Sequence, residues 1–220
     1  MMRSVVLMLA LGWVAIAGAQ NIDSLMRRAG MVDVGAMDTT IIVRLMYASE
    51  DNFVGEDMYG ELRKAYLHPE AAEALLKAAE ALRRERSDLR LLVKDAARPM
   101  SVQRQMYAKV RGTAAAPYVS NPARGGGLHN YGLAVDVTLA DMHGCELPMG
   151  TPVDHLGPEA NIDRERELVE RGVITPTERA NRELLRRAMR SAGFMPLRSE
   201  WWHFNLRSRA VAKSRYKVIE

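Results

Sequence analysis

A single cysteine, Cys145, stands among 220 residues, so no disulfide can close within the chain and no thiolate cluster can hold a metal. An excess of one charge is also missing. Thirty-one basic residues against 27 acidic ones leave a net +4, and the basic residues are spread among acids, with Arg83-Arg84-Glu85-Arg86 and Arg186-Arg187 reading as solvated helix faces. Such a surface gives no stripe for a nucleic acid to follow, so none is expected as a partner. Long apolar runs are absent except near the start, where residues 5–17 are apolar. That run is short of the ~20 residues a membrane span needs. It follows Arg3 and precedes Ala17-Gly18-Ala19, the small-x-small form of a signal-peptidase site. No cysteine follows it to take a lipid anchor. The pattern predicts a signal peptide at 1–19, export to the periplasm or medium, and no stable membrane insertion after its removal. The remainder, 20–220, suits one domain with a full core.

Within that domain, 21–30 reads as a short helix ended by Gly30, and the β-branched run 39–45 as a strand. Residues 48–60 form a polar loop. Pro69 opens a helix carrying Ala71, Leu75, Leu76, Ala79 and Leu82 at helical spacing. A strand is expected at 89–93, then a helix capped by Ser101 and running to Val110. The segment 111–127, rich in Gly, Ala, Pro and Asn, is a loop. In the strand that follows, Leu133, Val135, Val137 and Leu139 face one way and Ala134, Asp136 and Thr138 the other. After an irregular stretch at 141–159, Thr177 is expected to cap an amphipathic helix stopping at Gly193, and 201–206 closes the chain as a strand. Helices and separated strands without regular alternation predict an α+β domain, its small, mainly antiparallel sheet flanked by helices.

Two stretches, 127–136 and 200–203, hold the chemistry. They supply His129, Asp136 and His203, three groups suited to zinc, and catalytic zinc sites commonly use three protein ligands and keep a fourth position open. A carboxylate inside an apolar strand is costly unless paired, hydrogen-bonded or bound to metal, and a salt-bridged or capping Asp136 is the alternative. His203, between Trp202 and Phe204, would by itself read as a core histidine; the other two groups give it a reason to be a ligand. Glu200 lies three residues earlier and is expected in a bend or bulge before the strand, where it would serve as base to an attacking water. Arg98, beside Pro99, suits stabilisation of an oxyanion, with a surface ion pair as its alternative reading. The whole predicts a zinc hydrolase with the metal at the sheet.

These residues resemble the D-alanyl-D-alanine dipeptidase family, the VanX-type zinc peptidases. The family pattern Ser-x-His-x-x-Gly-x-Ala-x-Asp, then Glu-x-x-His, appears here as Gly127, His129, Gly132, Ala134, Asp136, Glu200 and His203. The likeness extends to 47–55, to Asp95-Ala96-Ala97-Arg98-Pro99, to 148–154 and to 193–204. The resemblance implies one Zn²⁺ held by His129, Asp136 and His203, and Glu200 moving a proton from water to the leaving amine. It further implies that Arg98 stabilises the tetrahedral intermediate, that Asp154 holds the substrate's free ammonium and that Tyr47 lines the pocket. The implied substrate is a small D-amino-acid dipeptide of cell-wall metabolism. Gly127 departs from the family's serine, and Ala96-Ala97 from its bulkier Gly-Tyr, so substrate choice stays open. A related carboxypeptidase or endopeptidase acting on longer wall peptides is the first rival reading, and a non-catalytic wall-peptide binder the second.

Overall fold

The alternation around Asp136 builds the middle strand of a five-stranded sheet. The structure, a computed structural model, describes residues 21–220; the expected signal peptide lies outside the described residues. The strands run in the order β2 (Ile42–Val43), β4 (Leu89–Asp95), β5 (Ala134–Asp141), β7 (Glu200–Asn205), β6 (Met195–Leu197). Only β2 and β4 pair in parallel, and the other neighbours are antiparallel. A separate antiparallel pair joins β1 (Val32–Asp33) to β3 (Tyr66–Leu67). Two long helices, α3 (Pro69–Glu85) and α6 (Pro176–Ser191), pack on each other, with α1 (Ile22–Arg28), α2 (Val34–Met37), α5 (Glu165–Glu170) and α7 (Arg209–Arg215) as short ones; α3 lies against β4, and α6 against β5, β6 and β7. The aliphatic row Leu133, Val135, Val137 and Leu139 is wholly buried. So are Ala134, Asp136 and Thr138 on the opposite face, at most 3% exposed, which places Asp136 in the interior. Among the described residues no helix is long and apolar enough to cross a membrane.

The mixed α/β domain agrees with the expected class, and its departures have local causes. The strand expected at 39–45 shrinks to Ile42–Val43 because the Asp38 carboxylate accepts from Thr40 N (2.9 Å) and Thr40 Oγ1 (2.6 Å), turning the chain instead. Pro99, not Ser101, precedes the helix Met100–Val110 (α4), and Ser101 lies inside its first turn. The cap of α6 is Thr175, two residues before the one expected. Its hydroxyl accepts from Glu178 N (3.1 Å) while the Glu178 carboxylate accepts from Thr175 N (2.6 Å), with Pro176 at the first helical position. Arg186 is not on a solvated face: it makes a two-pronged pair, at 3.0 and 2.6 Å, with the buried Glu165.

Arg182, fully buried on α6, holds the irregular segment between β5 and α6. It donates through Nε to Met149 O (2.6 Å) and through a terminal nitrogen to Glu159 O (3.1 Å), and stacks over Trp201 at 5.5 Å. Burial lowers its pKa to about 10, with Glu165 acting in the opposite direction. The span it secures, 149–159, carries Asp154.

Candidate metal centre and substrate pocket

His129 sits on a short 3-10 turn, Leu128–Tyr131, whose ends need glycine. Gly132 has φ +67°, and a Cβ there would lie 2.8 Å from the His68 backbone nitrogen; a Cβ on Gly126, φ +63°, would lie 2.2 Å from the Asn130 carboxamide oxygen. Asn130 fastens this turn to the one at Arg98: its carboxamide accepts from Gly127 N (2.8 Å) and donates to Arg98 O (2.9 Å), while Arg98 N donates to His129 O (3.0 Å). From the far end of the chain, Ile219 N donates to Asn130 O (2.8 Å). Asp136 and His203 come together through register, since they stand directly opposite each other on β5 and β7.

The three candidate ligands converge, with one donor atom from each within 4.8 Å of the others. His129 Nδ1–H donates to Ala96 O (2.7 Å), and His203 Nε2–H to the Asn205 carboxamide oxygen (2.9 Å). Both rings therefore turn their second nitrogens inward, where each can offer its lone pair to a metal ion in place of a proton. These two nitrogens are 3.2 Å apart, and Asp136 oxygens lie 3.4 Å from that of His129 and 2.9 Å from that of His203. Three electron-pair donors facing one point call for a cation. Donors bound tetrahedrally to zinc at ~2.0–2.2 Å lie roughly 3.3–3.6 Å from one another, so the residues present fit that ion. The electrostatics agree: burial works to raise the Asp136 carboxyl, yet His129 and His203 hold it well below the usual carboxylate range. Burial would lower His203, but the Asp136 carboxylate lifts it to about 9.

Around this cluster lies a cavity of about 400 Å³ lined by Tyr47, Arg98, Asp154 and Glu200 together with the three candidate ligands. Glu200 is the first residue of β7, and the expected bulge lies just after it, inside the strand: Leu197 pairs with Glu200 but Pro196 with Phe204, so one step of β6 spans four of β7. Its carboxylate is 3.9 Å from His203 Nδ1, and burial raises its pKa against the lowering effect of His203. Arg98 is no surface ion pair. It is buried, it pairs with the fully buried Asp95, it donates to the Gln103 carboxamide oxygen at 3.0 Å, and its guanidinium lies 4.9 Å above the Tyr47 ring. Tyr47 Oη in turn donates to Asp154 at 2.5 Å. Burial pushes Asp154 up to about 7, with the Tyr47 hydroxyl acting the other way. Asp154 is the one non-glycine with positive φ among the described residues, at 66°, a strained conformation of the kind that gathers at functional sites.

Reading the chain alone assigned no role to Asp95, Gln103 or Asn205. Asp95 depends on a β-bulge: Val93 pairs with Val137, yet Asp95 pairs with Asp136, so two residues of β4 oppose one step of β5. The bulge turns Asp95 to the Asp136 side, where it meets Arg98, accepts from Tyr59 Oη (2.6 Å) and approaches His129 Nδ1 (3.6 Å). Asn205 had a visible signal, since it lies two residues from His203 on the same strand face.

Comparison with known proteins settles the family. Residues 27–220 match the family model described as D-ala-D-ala dipeptidase. The chain belongs to this family. Membership makes it an enzyme, a zinc metallopeptidase, as its likeness to a zinc-peptidase group suggested. The D-alanyl-D-alanine dipeptidase of Escherichia coli (strain K12) is 33% identical over 179 residues, covering 80% of this chain and 84% of that protein. The enzyme of the same name from Enterococcus faecium is 29% identical over 186 residues, covering 76% of this chain and 87% of that protein. A third, from Synechocystis sp., is 37% identical over 87 residues, a shorter match covering 35% of this chain.

Proposed function

We propose that the chain is an exported dipeptidase, using one Zn²⁺ per chain, that hydrolyses free D-alanyl-D-alanine to two molecules of D-alanine in cell-wall peptide metabolism. The observation that carries the reading is that Asp154 opens into the same cavity as the His129, Asp136 and His203 cluster. When bound, zinc supplies a Lewis acid that lowers the pKa of water and polarises a peptide carbonyl. Glu200 accepts the proton of the attacking water and returns it to the amine as the C–N bond breaks, a task matched by a carboxyl whose pKa burial has raised. Arg98, held by Asp95 and Gln103, meets charge growing on the carbonyl oxygen without having to reorganise. Asp154, with Tyr47 as its hydrogen-bond donor, takes the dipeptide ammonium. A longer wall peptide has an amide there in place of a cation and would leave that carboxylate buried and uncompensated, which favours the dipeptidase over a carboxypeptidase or endopeptidase.

The test compares free and N-acetylated D-Ala-D-Ala. The free dipeptide should be preferred by roughly 10–100-fold in kcat/KM, the range for losing a hydrogen bond between charged groups; equal rates would defeat the dipeptidase reading. The pH dependence follows from Asp154, whose pKa is raised to about 7 by burial. It must be ionised to hold the ammonium, so KM should fall as pH rises through about 7 and rise again once the substrate amine, pKa ~8, loses its proton. Asp136, Asp95 and Arg98 also act on this carboxyl and set where the lower limb falls. Asp154→Asn should erase that limb. For export, the chain recovered from outside the cytoplasm should begin at Gln20; an intact Met1 on the exported chain would remove the signal-peptide reading.

A further inference from the structure

Position 127 has no side chain because another residue already stands in its space. A Cβ on Gly127 would lie 2.7 Å from Ser120 Oγ and 3.1 Å from Ser120 Cβ. The backbone there is extended, φ −105° and ψ −176°, which any residue adopts, so the glycine answers to space and not to conformation. Ser120 is itself held firmly. Its carbonyl accepts from the Gln103 carboxamide nitrogen at 2.8 Å, and the oxygen of the same buried carboxamide accepts from Arg98 at 3.0 Å. One side chain thus sets the distance between the Arg98 guanidinium and the Ser120 backbone.

Ser120 lines the cavity beside Gly127 and Arg98. No hydrogen bond to its hydroxyl is made by any described residue, which leaves a donor and an acceptor facing the space where substrate would lie. Tyr47 and Asp154 line the same cavity, and Ser120 shares with Arg209 the border between it and an adjoining one lined also by Arg124 and Lys213. A zwitterionic dipeptide with its ammonium at Asp154 needs donors for its carboxylate, and the cavity offers the Ser120 hydroxyl and Arg209.

We propose that Ser120 is a specificity-determining residue of the pocket, its hydroxyl donating to the free C-terminal carboxylate of the dipeptide from the space that a side chain at 127 would otherwise fill. This rests on the dipeptidase reading, so the test is made by binding, in a form that separates the two. Calorimetry of D-Ala-D-Ala with zinc-loaded Glu200→Gln, which turns substrate over at least about a hundredfold more slowly, is compared with the same variant carrying Ser120→Ala. Affinity should fall roughly 10–100-fold, as for loss of one hydrogen bond to a charged group. The C-terminal amide of the dipeptide should show no such difference. With Glu200 intact, Ser120→Ala should raise KM and leave kcat nearly unchanged, the sign of a contact made equally in ground and transition states.

The exchange Ser120→Gly with Gly127→Ser moves the hydroxyl across and should recover most of the affinity, whereas Gly127→Ser alone crowds Ser120 and weakens binding. Equal affinity with and without the Ser120 hydroxyl, or an equal loss for the amide, overturns the role of Ser120 and leaves the dipeptidase reading standing. Failure of Glu200→Gln to bind the dipeptide at all overturns both.

Discussion

Glu200→Ala should hold zinc as the parent does and hydrolyse D-Ala-D-Ala about 10²–10⁴-fold more slowly, the span for loss of a positioned proton carrier. Glu200 is not one of the three converging donors, and its carboxylate lies 3.9 Å from His203 Nδ1. It is close enough to serve the same reacting atoms and outside the ligand set. Its raised pKa brings the protonated and ionised forms nearer in energy than at an exposed glutamate, as needed by a group that must take a proton and then release it. Glu200→Gln keeps the shape and removes only the basicity, so an equal loss in kcat would separate proton transfer from packing. Metal content by atomic absorption and kcat by D-alanine release are the two measurements. Unchanged metal with normal turnover in either variant would remove Glu200 from the mechanism.

His129→Ala should abolish zinc binding and, with it, turnover. The clearest reading is thermal. An ion that binds only the folded chain stabilises it by ~4 kcal/mol when its free concentration is a thousandfold above Kd, and for a domain of this size that is a rise in Tm of roughly 8–16 °C. The parent should show this rise when zinc is added to chelator-treated protein, and the variant should show almost none. His129 is also 6% exposed and bonded to Ala96 O, so the variant's Tm is compared with and without zinc in place of against the parent. A full zinc-dependent rise in His129→Ala would mean that the metal is held elsewhere, and the ligand assignment would fall.

What could be read before the fold was known followed from local pattern. The alternation through 133–139 placed Asp136 opposite the aliphatic row, and the glycines around His129 announced a tight turn; β5 and Gly132 have those places in the structure. The pairing of Asp136 with His203 across β5 and β7 depends on strand register, which no spacing within either strand contains. Asp95 was invisible for a related reason. Counted by twos from Val93 it belongs to the aliphatic face, and only a bulge against β5 brings it to the other. Ser120 sat in a stretch whose Gly, Ala, Pro and Asn content marks a loop without saying where the loop returns. The cap of α6 stands at Thr175 and not at Thr177 because only Thr175 forms the reciprocal bond with Glu178. Arg186 looked solvated because its partner, Glu165, lies 21 residues away at the start of the short helix Glu165–Glu170, which was not expected from the sequence.

The bulge at Asp95 makes one carboxylate common to both halves of the pocket. It pairs with Arg98 on the substrate side and lies 3.6 Å from His129 Nδ1 on the metal side. Under the roles proposed for Arg98 and His129, a substrate oxygen drawing on Arg98 would lessen that arginine's hold on Asp95 and leave the carboxylate more free to polarise the His129 ring. A cation drawing on His129 would do the converse. Metal and substrate would then be coupled through a residue that touches neither, and whatever factor one contributed to the affinity of the other would be returned in equal measure.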